Sequence, residues 1–180
     1  MRTWLSALGT TILLAALASE ALAQDRSIVF GASGGVTFPI GDLADDVEVG
    51  FHLNGLVQAE RIGGLPFGLR GEAGYQSFSH DDDTLRHIVG RINAIVPFAG
   101  RPDAQPYLIG GLGLYNSKAE TDHGDHAHGG EAENFAGINF GAGIRWSISG
   151  MTTVVEARFH HVFDDNHAQQ FIPFSIGVLF

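Results

Sequence analysis

The stretch 171–180, FIPFSIGVLF, alternates without a break. Ile172, Phe174, Ile176, Val178 and Phe180 hold one phase, and Phe171, Pro173, Ser175, Gly177 and Leu179 hold the other. A period of two belongs to a β-strand, whose successive side chains point to opposite faces. The chain ends on an aromatic of the apolar stripe with no polar tail after it. A soluble strand gains little from that ending, whereas a strand in lipid gains an apolar outer face and an aromatic at the membrane boundary.

The same alternation recurs along the chain. It predicts strands over residues 27–38, 51–60, 66–78, 85–97, 105–116, 134–148, 152–163 and 171–180. Turn-rich gaps separate them, and the gaps alternate long and short. Eight strands with that rhythm describe an all-β, antiparallel, up-and-down barrel, its long loops at one end and tight turns at the other. The expected outer loops are 39–50, 79–84, 117–133 and 164–170, and an even strand count returns both termini to the periplasmic side.

Charge placement chooses between a membrane barrel and a soluble one. Arg70, Glu72, Arg91, Arg145, Glu156 and Arg158 all fall on the phase opposite the apolar stripe. An Arg facing lipid at mid-membrane costs ~2–4 kcal/mol, and the stripe avoids that cost throughout. Arg86 departs from the rule, at a strand end beside an outer loop. A lipocalin-like barrel would show the reverse, an apolar interior and a polar exterior. The six charges are therefore expected in the lumen, as one group of Arg70, Glu72 and Arg91 and a second of Arg145, Glu156 and Arg158. Eight strands enclose a space that side chains fill, so paired charges plugging it are the preferred reading over a gated path for a small solute.

The remaining sequence fits an exported protein. Residues 1–23 combine Arg2, an apolar run and Ala21-Leu22-Ala23, the pattern of a secretory signal peptide, with 24–180 as the barrel domain. The apolar run is shorter than the ~20 residues a spanning helix needs. There is no cysteine, so neither a lipoprotein nor a disulfide framework is expected. The net charge of −10, its acids gathered in loops, argues against nucleic acid as a partner.

The terminal strand resembles the C-terminal assembly signal of bacterial outer-membrane β-barrels, carried here by Ile172, Phe174, Ile176, Val178 and Phe180. With the strand count and loop rhythm, the mature chain resembles the small eight-stranded outer-membrane barrel family, of the OmpA transmembrane domain and OmpX type. That resemblance implies an outer-membrane location, with outer-membrane lipid, lipopolysaccharide and the barrel assembly machinery as partners. It implies function poorly, because the family holds adhesins, structural anchors and lipid-modifying enzymes.

Three candidate chemistries stand in the sequence. The third outer loop carries His123, His126 and His128 with Asp122 and Asp125. Imidazole and carboxylate suit zinc, copper or nickel, so weak divalent-metal capture stands beside a solvated acidic loop. No other cofactor is expected. Lipid A deacylases of this architecture place a Ser two residues after a catalytic His near the end of strand seven. Here Val162 follows His160 and Phe163 follows His161 at that offset, so the nucleophile is missing and no catalytic residue is assigned. Gly111/Gly113 and Gly141/Gly143 lie within strands and make no phosphate loop. The expected function is a non-enzymatic barrel with a structural or surface-interaction role through its acidic loops. A narrow channel is the alternative, and a lipid A-modifying enzyme or loop-based metal binder stands further back.

Overall fold

The computed structural model describes residues 28–60, 62, 65–80, 83–100, 104–121, 128–129, 132–148, 151–164 and 168–180. The expected signal peptide lies outside them. Eight long strands follow one another: β1 (Ile28–Ile40), β2 (Gly50–Ala59), β3 (Gly68–His80), β4 (Asp83–Pro97), β5 (Gln105–Thr121), β6 (Glu133–Ile148), β7 (Met151–Phe163) and β8 (Gln169–Leu179). Each pairs antiparallel with the next, and β8 pairs back onto β1. The result is a closed eight-stranded up-and-down barrel, in which each of the eight long strands is paired on both edges. Closure reaches the chain end, where Phe30 and Phe180 exchange backbone hydrogen bonds of 3.0 and 2.8 Å.

The alternating sequence places two unlike faces. Ile88, Ile92, Leu112 and Leu114 stand on the outer wall, each 66–68% exposed. Phe30, Leu53, Phe140, Phe174 and Ile176 join them there. Inside, Arg70 and Arg158 are 1% and 2% exposed. Large apolar side chains left outside and guanidinium groups taken inside invert the arrangement of a water-soluble protein. Such a wall suits hydrocarbon, and the closed ladder satisfies the backbone polar groups that hydrocarbon would otherwise leave unpaired. No helix among the described residues is long and apolar enough to cross a membrane.

The connections differ from the sequence expectation. The segment 79–84 is mostly strand, because His80 pairs with Asp83 and only residues 81 and 82 lie between β3 and β4. β5 runs on to Thr121, and a two-residue strand, His128–Gly129, pairs with its end. The acids and histidines there read as loop because they break the apolar stripe. Backbone pairing continues past that point, since ladder hydrogen bonds do not require apolar side chains. Loop length consequently does not alternate regularly around the barrel.

A short helix, α1 (Leu43–Asp46), stands in the first of these connections, where the sequence predicts only a polar gap. Its Leu43 belongs to a buried apolar cluster with Phe78, Val89, Tyr115, Val162 and Phe171. The helix therefore lies over the end of the barrel opposite the termini.

Candidate functional site

The lumen is built in layers. Nearest the termini, Leu56, Val154 and Leu179 pack together, as do Ile95, Tyr107 and Ile109. The mouth on that side carries an ion pair, Arg145 Nη1 to Glu60 Oε1 at 2.6 Å, with Arg145 Nε donating to Gln105 Oε1 at 2.7 Å. Glu60, Gln105, Arg145, Trp146, Ser147 and Thr152 line a small polar cavity of about 210 Å³ there.

The charged layer lies deeper. Arg158 Nη1 donates to Glu72 Oε2 at 2.9 Å, and Arg91 Nε lies 2.9 Å from the same oxygen. Arg70 donates to Glu156 Oε1 through Nη1 and to Gln58 Oε1 through Nε at 2.9 Å. The Tyr107 hydroxyl also donates to Glu156 Oε1, and Arg70 lies over the Tyr107 ring, 5.8 Å from its centroid. Arg91 Nη2 donates to Asn54 Oδ1 at 2.5 Å. Glu72 and Arg70 belong to β3, while Arg158 and Glu156 belong to β7, the strand diametrically across the circle. The ion pairs thus cross the centre of the barrel and occupy it.

This arrangement changes the expected grouping of charges. Sequence proximity suggests two separate triads on neighbouring strands. Instead Arg70, Glu72, Arg91, Glu156 and Arg158 form one network across the lumen, and Arg145 stands apart at the mouth with Glu60. Opposite walls of so narrow a barrel lie within reach of long side chains, so partners are chosen across the lumen as well as along the wall.

Above the charges, His52 bridges two hydroxyls. Its Nδ1 lies 2.9 Å from Thr37 Oγ1 and its Nε2 lies 2.8 Å from Ser175 Oγ. No local motif announces this Ser–His contact, because 123 positions separate the partners. Residue types and spacing resemble a nucleophile–base pair. All three residues are buried in the lumen.

An aromatic and apolar seal closes the α1 end. Phe171 stacks on His160 with centroids 4.9 Å apart and meets Phe78 edge-on at 5.7 Å. The Tyr115 hydroxyl is 2.7 Å from His160 Nδ1. His161 takes the outer phase, with its Nδ1 3.2 Å from Gln170 Nε2.

On the outer wall, Gly55, Ala73 and Gly90 adjoin in register and form a shallow depression between Val57, Ile92 and Leu114. Of the assembly-signal residues, Phe174, Ile176, Val178 and Phe180 are exposed on this wall and Ile172 is partly so. In the metal candidate, residues 122–127 lie outside the described residues, which removes His123, His126, Asp122 and Asp125 from view. The backbone of His128 pairs with Thr121.

No family model and no curated protein sequence matches the chain. Solved structures match its fold. Neisserial surface protein A is 17% identical with a TM-score of 0.62, covering 87% of this chain and 98% of its own. A major outer membrane protein from Thermus thermophilus is 13% identical with a TM-score of 0.62, covering 86% and 98%. The N-terminal β-barrel domain of Pseudomonas aeruginosa OprF is 15% identical with a TM-score of 0.51, covering 87% and 100%. At these identities the likeness is one of fold, the small outer-membrane β-barrel.

Proposed function

We propose that this chain is a non-enzymatic outer-membrane barrel with a structural or surface-interaction role, its acidic loops outside and both termini in the periplasm. The observation that carries the reading is the cross-lumen pairing of β3 with β7, Arg158 to Glu72 and Arg70 to Glu156. In this reading the lumen, tied across its centre and covered by Phe171, Phe78 and Leu43, acts as a plug, and contact with other molecules falls to the loops and the outer wall. The apolar wall supports outer-membrane lipid as the surrounding medium, with lipopolysaccharide and the barrel assembly machinery as partners.

The test combines location and conductance. The protein should fractionate with the outer membrane and run faster on a gel unboiled than boiled. It should also stay silent in a planar bilayer. A steady single-channel conductance would overturn the plug in favour of the narrow channel. A soluble periplasmic protein without a heat shift would overturn the membrane reading.

A further inference from the structure

The charges in the lumen do not balance. Among the described residues the buried charged groups are Arg70, Arg91, Arg158, Glu72 and Glu156. Three guanidinium groups face two carboxylates, and guanidinium does not lose its proton in proteins. Tyr107 donates its hydroxyl proton to Glu156, so it is no hidden anion. The Arg145–Glu60 pair at the mouth is balanced by itself. One positive charge is left over in a space closed to bulk water, where an uncompensated charge is costly.

Donors are left over in the same place. Arg91 Nε and Arg158 Nε are ion-paired, with Glu72 Oε2 at 2.9 Å and Glu156 Oε2 at 3.4 Å, so the donors to account for lie beside them. Asn93 spends its Oδ1 on Asn139 Nδ2 at 2.9 Å, and its own Nδ2 has no partner among the described residues. His160 has Nδ1 engaged with Tyr115, and its Nε2 is likewise unpartnered. Arg91 and Asn93 are successive inward residues of β4, and Arg158 and His160 are successive inward residues of β7. Asn93 and Asn139 both flank Gly111 in register, and Asn139 flanks His160. Glu72 Oε1, an unpartnered acceptor of this layer, is turned toward Arg70 at 3.6 Å.

We propose that the lumen binds one small monovalent anion, of the size and charge of a halide, beside Arg91 and Arg158 with Asn93 and His160 as further donors. The anion cancels the surplus charge and takes up Asn93 Nδ2 and His160 Nε2, buried donors with no partner among the described side chains. The site is independent of the surface role proposed above, and it would exist in the barrel in any medium.

The test is thermal unfolding of the folded barrel in neutral detergent. Sodium bromide is exchanged for sodium gluconate at constant ionic strength, and Asn93→Asp and Arg145→Gln are run alongside. Bromide should raise the wild-type midpoint saturably, by on the order of 3 °C at tenfold excess over Kd. Arg145→Gln, at the mouth, should keep that response. Asn93→Asp supplies an internal counter-charge with the same shape and should lose the response. A bromide response equal in wild type and Asn93→Asp overturns the proposal, as does a wild type indifferent to bromide. In a crystal grown from bromide, an anomalous peak between Arg91 and Arg158 would support it, and a peak confined to the surface would refute it.

Discussion

Glu72 on β3 accepts a hydrogen bond from Arg158 on β7 at 2.9 Å, although four strand-to-strand steps separate them around the barrel. The same carboxylate oxygen lies 2.9 Å from Arg91 Nε. One acid therefore holds two cations at the barrel centre.

Removing that acid strands both cations. Glu72→Gln should destabilise the barrel by about 3–5 kcal/mol, the cost of breaking a buried pair from one side. Urea unfolding followed by gel mobility measures it. A loss under about 1 kcal/mol would mean that water already screens the network.

The outer wall makes the opposite prediction for an added charge. Ile92 projects from the middle of β4 and pairs in register with Leu112. Ile92→Arg should cost ~2–4 kcal/mol in lipid vesicles. An unchanged free energy would place this wall in water instead.

Two glycines separate the faces by their sensitivity. A Cβ at Gly141 would meet the Ala157 carbonyl and come within 2.7 Å of Arg158 Cα, while one at Gly55 would meet nothing within 4 Å. Gly141→Ala should lose roughly 1–3 kcal/mol by overpacking. Gly55→Ala should be neutral or gain roughly 0.4–1 kcal/mol through a less flexible unfolded chain. Equal effects in a parallel unfolding series would contradict the register.

Ser175 distinguishes structure from chemistry. In Ser175→Ala, His52 Nε2 loses its buried partner, which should cost roughly 1–3 kcal/mol. Lipid A from cells carrying either form should have the same mass spectrum. A mass shift present with wild type and absent with Ser175→Ala would make the Ser175–His52 contact catalytic.

The third outer loop is tested by its histidines alone. If it captures metal, zinc binding in the micromolar range by calorimetry should vanish when His123, His126 and His128 become alanine. Binding that survives the triple change would leave these residues as solvated loop.

Side-chain direction is legible in the sequence for a local reason. In a strand, facing in or out follows from position parity, which is why spacing alone assigns Arg70, Glu72, Arg91, Glu156 and Arg158 to the lumen. Strand ends are less legible. At residues 79–80, 83–84 and 117–121 the apolar stripe stops while the backbone ladder continues, so composition and pairing part company. The helix α1, a single turn in an acidic segment, is too short to leave a periodic trace, yet burial of Leu43 holds it over the lumen.

Parity and transfer cost act residue by residue, so the order of amino acids is enough to specify an alternating, all-β chain with one face for hydrocarbon and one for charge. Which groups meet inside is a property of the closed barrel. Closure of β8 on β1 and the register of every ladder bring Glu72 to Arg158 across 86 positions and His52 to Ser175 across 123. Those distances depend on the stagger of all eight strands at once, which no local pattern encodes.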